Sequence, residues 1–163
     1  MKSIIVFYSM SGNVRMVAER IADGTRADLL EIVPQKAFPD KGLRKFLWGG
    51  KSAVMCEKPP LVPYRFDADD YDMVILASPI WASNITPPMR TFVSDNLDAL
   101  RAKRLCMVFC FSGGGDAKAL AKTKALLGVE DFDLSMCLVD PKDKPTEEND
   151  ARIEDFCRRL AEM

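Results

Sequence analysis

Close to the first residue stands Ile4-Ile5-Val6-Phe7-Tyr8-Ser9-Met10-Ser11-Gly12-Asn13-Val14, in which a continuous apolar run leads into a hydroxyl-rich turn. The run at residues 4–8 predicts a strand covered on both faces, because no polar residue alternates with the apolar ones. After the turn, apolar residues recur at helical spacing and predict a helix. Ser9 and Ser11 can converge on one anion, since backbone N–H groups at a helix N-terminus attract phosphate. The alternative is that the serines only cap the helix.

Strand-like and helix-like segments alternate along the chain, as in a parallel sheet whose crossover helices cover both faces. We expect one domain over residues 1–163, because a chain of this length buries a large core as a single unit. The last strand alternates apolar and polar residues, which is typical of an edge strand with one wetter face. The predicted strands are Lys2–Tyr8, Asp28–Val33, Met73–Ser78, Leu105–Phe111 and 132–138.

Capping signals and apolar periodicity place the helices between these strands. The first helix is predicted over Asn13–Asp23. Thr86 caps a later helix, which Pro87-Pro88 opens. Another begins near Asp116 and stops at Gly128. The residues expected on buried helix faces are Val14, Val17, Ala18, Ile21 and Ala22 in the first helix, Met89, Phe92, Val93, Leu97 and Leu100 in the next, Ala117, Leu120, Ala121 and Leu127 in the third, and Ile153, Phe156, Cys157, Leu160 and Ala161 in the last.

The second crossover, residues 34–70, is long and rich in proline. Within it we expect one helix, in which Gly49-Gly50 introduces a kink or admits a close neighbour. Trp48 and Lys51 could face a ligand. The alternative is that Trp48 packs on the sheet and Lys51 is exposed to solvent. The crossover as a whole either covers the binding site or forms a dimer contact. The apolar stripe of its helix is Leu43, Phe46, Leu47 and Val54.

Composition excludes several classes of function. The net charge is −1 and no basic stripe is available for a nucleic-acid backbone, while the absence of histidine removes Ser-His-Asp, Cys-His and histidine–metal sites. No apolar run is long enough to span a bilayer, and Met1-Lys2-Ser3 leads straight into a strand without a signal peptide. We therefore expect a soluble, cytoplasmic protein. Five cysteines, mostly in apolar segments and without metal-binding spacing, predict reduced thiols.

Three unusual loops follow the predicted first, third and fourth strands. They are Ser9–Val14, Pro79–Ile85 and Ser112–Gly115. The carboxyl ends of parallel strands meet at one edge of a sheet, where open α/β folds bind ligands. The sequence therefore predicts one binding site built from three loops. A P-loop lysine, a GxGxxG pattern and the acidic cluster of a receiver domain are all missing from the positions that those sites require.

Two of these loops resemble those of the flavodoxin family. The first loop and its flanks are similar to the flavodoxin signature in Val6-Phe7-Tyr8-Ser9, Gly12, Ala18 and Ile21. The second is similar to the second flavin loop in Ala77–Trp81 and Pro87-Pro88, and the middle of the chain resembles short flavodoxin-like proteins in Gly49-Gly50-Lys51 and Pro59-Pro60-Leu61. The resemblance implies a three-layer α/β fold, with a doubly wound five-stranded parallel sheet of order 2-1-3-4-5, and noncovalent binding of FMN.

By this resemblance, the first loop holds the FMN phosphate and the other two surround the isoalloxazine ring. Trp81 offers a π-face for stacking, with a core role as the rival interpretation. Asn84 tolerates positive φ, so a peptide there can flip toward the ring. No side chain has an implied catalytic or metal-binding role. The implied cofactor-binding residues are Ser9, Met10, Ser11, Gly12, Asn13, Val14, Pro79, Ile80, Trp81, Ala82, Ser83, Asn84, Ser112, Gly113, Gly114 and Gly115.

The chain departs from the family at one position of the phosphate loop. Flavodoxins usually carry threonine where this chain has Val14, so one side-chain hydrogen bond to the phosphate is missing. A charge-assisted hydrogen bond contributes about 1.5–3 kcal/mol, which corresponds to roughly 10- to 150-fold in affinity. Val14 is also the one feature that favours a member of the fold that no longer binds FMN.

The resemblance implies a flavoprotein of electron transport, and three functions stay open. The first is an FMN-binding carrier that passes electrons between a reductase and an unidentified acceptor, either a redox protein or a small molecule. The second is an FMN-dependent NAD(P)H:quinone-type oxidoreductase, which the near-neutral charge slightly favours. The third is a degenerate fold that acts as an interaction domain. Both a monomer and a homodimer are compatible with the sequence.

Overall fold

The computed structural model describes residues 1–39 and 49–163, and its centre is a parallel sheet with helices on both faces. The strands are β1 (Ser3–Phe7), β2 (Asp28–Glu31), β3 (Met73–Trp81), β4 (Asn84–Ile85), β5 (Arg104–Phe111) and β6 (Leu134–Val139). The helices are α1 (Asn13–Thr25), α2 (Pro87–Asp95), α3 (Leu97–Arg101), α4 (Asp116–Leu127) and α5 (Glu147–Ala161). Residues 49–54 are also helical, and Ala68–Asp70 form a 3-10 turn.

The five parallel strands lie in the order β2-β1-β3-β5-β6, and the short β4 pairs only with the end of β3. In register, Ile75 of β3 lies opposite Ile5 of β1 and Cys106 of β5. Counted without β4, this is the predicted order 2-1-3-4-5, and the α/β fold class is confirmed. The chain runs outward from β1 to β2 and then returns past β1 to β3. A crevice therefore opens between the carboxyl ends of β1 and β3.

Two apolar cores pack against the sheet, because its three central strands are apolar on both faces. On one face, Ile5 and Val108 belong to a cluster completed by α1 and α5. On the other face, Val6 and Phe109 pack with side chains of α2, α3 and α4. Each fully buried side chain of this kind contributes roughly 1.5–3 kcal/mol, so these layers hold the strand ends in place. In the part of the chain that the structure describes, no helix is both long and apolar enough to cross a membrane.

The third strand is longer than the sequence predicted. It continues past Ser78 to Trp81 and turns back through Ala82 and Ser83 into β4, so the segment predicted as an open loop is a β-hairpin. Ala82 and Ser83 have φ values of 49° and 55°, which match the twist that a two-residue hairpin turn requires. The sequence pattern does not predict this hairpin, because Pro79 interrupts the strand pattern and neither turn residue is glycine or asparagine.

Several predicted boundaries and faces also differ. β2 ends at Glu31, and the helix predicted after Thr86 breaks at Asn96 into α2 and α3. α4 turns a different face to the sheet than predicted, because its many alanines give the apolar pattern little contrast. Its buried residues are Ala119, Thr123 and Leu127, whereas Ala117 and Ala121 are exposed; in α5, Ala161 is exposed and Cys157 is half-buried.

The second crossover is described only in part. Pro34 forms an antiparallel bridge with Leu61, which ties the two ends of the crossover together. Val54, predicted on the buried stripe of a helix, is 62% exposed. Lys51 is also exposed, in agreement with the solvated interpretation. The predictions for Leu43, Phe46, Leu47 and Trp48 lie outside the described residues.

Candidate functional site

A cavity of about 710 Å³ opens at the carboxyl ends of β1, β3 and β5, and this volume is typical of small-molecule sites. All three predicted loops line it. Gly12 and Asn84 are the two predicted site residues that do not, whereas Gly50, Cys110 and Phe111 line it without having been predicted. The predicted residues that the structure brings together are Ser9, Met10, Ser11, Asn13, Val14, Pro79, Ile80, Trp81, Ala82, Ser83, Ser112, Gly113, Gly114 and Gly115.

The turn between β1 and α1 presents free backbone donors. Gly12 adopts φ 90° at the N-cap of α1 and has no side chain with which to cap the helix itself. Among the described residues, the N–H groups of Ser11, Asn13 and Val14 meet no acceptor. For Asn13 and Val14 this follows from their place in the first turn of the helix. The N–H of Arg15 donates to Ser9 Oγ at 3.1 Å, so Ser9 does cap the helix. The remaining donors, at the positive end of the α1 dipole, can bind an oxyanion.

A loop that follows β6 holds this turn through hydrogen bonds, and no sequence pattern predicted its contribution. Asn13 Oδ1 accepts from the N–H of Lys142 at 2.9 Å, and Asn13 Nδ2 donates to Asp143 Oδ2 at 2.8 Å. Lys142 Nζ donates to the carbonyl oxygen of Ser11 at 3.2 Å. The Asn13 side chain is thereby committed to the protein, while Lys142 brings a positive charge to the turn. The available signal was the position of this loop after the carboxyl end of a strand.

Trp81 stands between an aromatic cluster and the cavity. Its ring makes edge contacts with Tyr8 and Phe38, with centroid separations of 5.8 and 5.1 Å. A Cβ on Gly49 would lie 3.1 Å from Trp81 Cε3, so the glycine lets the helical segment 49–54 approach the ring. Trp81 is half-buried and also lines the cavity, so it both packs against the protein and offers a surface to a ligand. Burial, and then Glu31, raise the pKa of Tyr8 to about 12, so this phenol stays neutral.

The hairpin turn at Ala82–Ser83 packs closely against the glycine loop Gly113–Gly115. Gly115 adopts φ 89° at the N-cap of α4, and a Cβ there would overlap Ser83 Oγ. Gly113–Gly114 have open space around them. The Ser112 hydroxyl donates to the carboxylate of Asp140, which anchors the start of the loop. The glycine backbone is therefore held against the cavity from both ends.

Asn84 is part of β4 and 3% exposed. Its Nδ2 donates to the carbonyl oxygen of Ala82 at 2.8 Å, and its Oδ1 accepts from Lys122 Nζ at 3.0 Å. In this hairpin the residues with positive φ are Ala82 and Ser83, whereas Asn84, which tolerates that conformation, does not adopt it. The side chain of Asn84 instead stabilises the turn from behind.

The described lining of the cavity contains no charged side chain. Its one thiol, Cys110, has a pKa raised to about 12 by burial and then by Cys137, so it stays protonated and is a poor nucleophile. Among residues 1–39 and 49–163, no group of three or more acidic or cysteine side chains could hold a metal ion. The arrangement can bind a phosphate-bearing ligand through backbone donors, and its side chains offer no acid–base group.

Comparison with known proteins agrees with this geometry. The model of a protein family described as Flavodoxin matches residues 2–131. A flavoprotein from Lactobacillus acidophilus NCFM, solved in complex with FMN, is 17% identical over 87% of this chain and 95% of that one, with a TM-score of 0.71. Oxidised flavodoxin 1 from Bacillus cereus is 15% identical over 99% of this chain and 98% of that one, with a TM-score of 0.60. Two-electron-reduced Megasphaera elsdenii flavodoxin is 16% identical over 99% of both chains, with a TM-score of 0.59. At such identities the likeness shows a shared fold.

Proposed function

We propose that this chain, which belongs to the flavodoxin family, binds FMN noncovalently at the carboxyl ends of β1, β3 and β5 and carries electrons between a reductase and an acceptor. The observation that carries this proposal is the set of backbone N–H groups without acceptors in the turn before α1, inside a cavity of about 710 Å³. The complex of the Lactobacillus flavoprotein with FMN supports the same ligand here.

The phosphate end of FMN suits the turn Ser9–Val14. N–H groups that donate to an anion make bonds about twice as strong as those to a neutral acceptor, and the dipole of α1 adds to them. Val14 is 1% exposed and packs in the core, so it contributes its N–H without a hydroxyl. The charge of Lys142, which is bonded to the carbonyl of Ser11, partly offsets that loss.

The ring end of FMN suits the surface formed by Trp81, the turn Ala82–Ser83 and the glycine loop Gly113–Gly115. Trp81 supplies an aromatic wall, and the two backbone segments supply peptide donors and acceptors. When bound, FMN supplies one- and two-electron redox chemistry that no side chain here provides. The protein's part is to hold the ring and to shield it from water. Tyr8, buried and uncharged, keeps the adjoining wall apolar.

An FMN-dependent NAD(P)H oxidoreductase is the second candidate. The observation that favours it is a second cavity on the far side of Ala82, lined by Arg90, Lys118 and Lys122, where an anionic substrate can bind next to the cavity proposed for FMN, the flavin cavity. A carrier needs a separate reductase for its reduction, whereas an oxidoreductase takes electrons from NADPH directly. The two functions therefore differ in one simple measurement.

Titration of the FMN-free protein with FMN, followed by flavin fluorescence, tests the shared part of both candidates. We expect saturable one-to-one quenching, and weaker binding of riboflavin, which lacks the phosphate. S11A should weaken the binding of FMN and leave riboflavin unchanged, while S135A, on the exposed face of β6, should change neither. Absence of saturable binding would overturn the proposal. Bleaching of bound flavin by NADPH alone would then identify an oxidoreductase, and a requirement for added reductase would identify a carrier.

A further inference from the structure

A second cavity, of about 600 Å³, lies behind the β3–β4 hairpin. Ala82 lines both cavities, so the hairpin turn is the wall between them. This groove is lined by the apolar side chains of Val54 and Leu126 and by the cationic side chains of Arg90, Lys118 and Lys122. Among the described residues, no carboxylate lines it. The groove is thus strongly basic on a chain whose net charge is −1.

Arg90 is the unusual member of this set. Its Nε is buried and has no hydrogen-bond partner, and within the described part of the chain its guanidinium forms no ion pair. An unpaired buried donor on a charged group is costly, and few remain in folded proteins. Six other arginines do pair with carboxylates, namely Arg15, Arg20, Arg101, Arg104, Arg152 and Arg158.

The two lysines add a second unfavourable arrangement. Lys118 and Lys122 are four residues apart on α4, and like charges at this spacing destabilise a helix. Lys122 Nζ already donates to Asn84 Oδ1 at 3.0 Å, which holds its charge at the groove. A bound anion would relieve the repulsion between the lysines and supply the missing partner of Arg90. A guanidinium fork suits the paired oxygens of phosphate or carboxylate.

We propose that this groove is a second ligand site, which binds an oxyanion-bearing small molecule through Arg90, Lys118 and Lys122. The ligand is a phosphate or carboxylate compound with more than one negative charge, since three cations and, among the described residues, no carboxylate line the groove. The proposal does not depend on FMN, because none of these three residues lines the flavin cavity. Through Ala82, occupation of the groove contacts the turn that also borders the first cavity.

Isothermal titration calorimetry with sodium pyrophosphate and with sodium citrate, at matched ionic strength, tests the site. We expect saturable binding of at least one anion, and this binding should persist when FMN occupies the turn before α1. R90Q should weaken it more than tenfold, and the double variant K118Q/K122Q, in exposed side chains, should weaken it by a similar factor. R159Q, which removes one exposed positive charge from α5, is the matched control and should bind as the unmodified protein does. Pyrophosphate alone would indicate a phosphate ligand, citrate alone a carboxylate ligand, and both a general polyanion site.

Two results would overturn the proposal. The first is a titration in which neither anion gives a saturable binding isotherm, or in which R90Q, K118Q/K122Q and R159Q bind the anions with equal affinity. The second is loss of pyrophosphate binding when FMN is added, because the probe would then lie at the turn before α1. Circular dichroism of each variant shows that it is folded, and R90K distinguishes the guanidinium fork from its charge. The Nε–H signal of Arg90 in a nitrogen-15 spectrum, absent in R90K, should shift on titration.

Discussion

Val14 lies in the turn before α1, which we propose holds the phosphate of FMN. It lines the flavin cavity through the turn, yet its side chain is 1% exposed and belongs to the core below α1. The backbone N–H of Val14 is therefore available to an anion, while the side chain stabilises the fold. The departure from the flavodoxin signature exchanges one ligand hydrogen bond for apolar packing.

V14T should tighten FMN binding by about tenfold or more, because a hydroxyl adds a charge-assisted bond of about 1.5 kcal/mol or more. The same substitution should lower the free energy of unfolding of the FMN-free protein by about 1–3 kcal/mol, since it buries a hydroxyl in an apolar core. Fluorescence titration and urea denaturation measure the two effects. Riboflavin is the matched ligand, and equal changes in its affinity would show that the hydroxyl does not act on the phosphate.

K142Q should weaken FMN binding by roughly two- to fivefold at low salt, because it removes an exposed positive charge next to the phosphate turn. The difference should shrink at high ionic strength, where exposed charges are screened. Riboflavin affinity should stay unchanged. K36Q, at an exposed lysine without an ion pair in the described residues, is the control, and a loss of the same size in K36Q would refute a local role for Lys142.

At the scale of secondary-structure elements, the site depends on how the β3–β4 hairpin meets its neighbours. The Ser78 hydroxyl lies 3.0 Å from that of Thr86, and both residues are fully buried, so the base of the hairpin is joined to the start of α2. At the tip, Ser83 contacts Gly115 at the start of α4. The hairpin is thus held at both ends, and two helices fix the wall between the flavin cavity and the basic groove.

G115A should destabilise the protein by more than 1 kcal/mol, because φ 89° is strained for alanine and its Cβ would overlap Ser83 Oγ. It should also weaken FMN binding, since Ser83 must move. G113A is the matched control for stability, with no atom near the added Cβ and no positive φ. Thermal unfolding and FMN titration of both variants check this, and equal behaviour of the two would contradict the contact.

At the scale of the whole molecule, the two cores contain thiols that burial keeps protonated. Burial raises the pKa of Cys106 and of Cys110 to about 12 and that of Cys137 to about 11, from an ordinary value of 9.0. The contribution of these protonated thiols to the free energy of unfolding is fully present below pH 9. It is lost as the pH rises toward their folded values, because only the unfolded chain releases these protons.

The free energy of unfolding should therefore fall above pH 9, by up to about 1.4 kcal/mol per pH unit for each thiol. Urea denaturation between pH 8 and about 10.5 measures the slope. C106A/C110A should show a shallower slope, whatever its stability at neutral pH. A slope equal to that of the unmodified protein would show that these thiols do not titrate on unfolding.

The amino-acid sequence by itself determined the order of elements and the placement of the site. Apolar runs and helical periodicity are local, so β1, α1, β5 and the edge strand β6 could be predicted within a few residues. Parallel strands align their carboxyl ends, so the sequence alone assigns the three loops to one edge of the sheet. The flavodoxin signature in Val6–Ser9 and Gly12 indicated the same family that the comparison later identified.

Only the tertiary structure decided which side chains meet. Lys142 and Ser11 are in contact although they are 131 residues apart in the sequence. Arg90 of α2 lines the same groove as Lys118 and Lys122 of α4. The hairpin turn at Ala82–Ser83 forms without glycine, because packing against Gly115 and the bond from Asn84 compensate for local strain. These features arise from contacts between distant segments, which local patterns do not encode. The sequence thus brought the three predicted loops to one cavity, and packing of remote segments created both the Lys142 contacts at that cavity and the basic groove behind it.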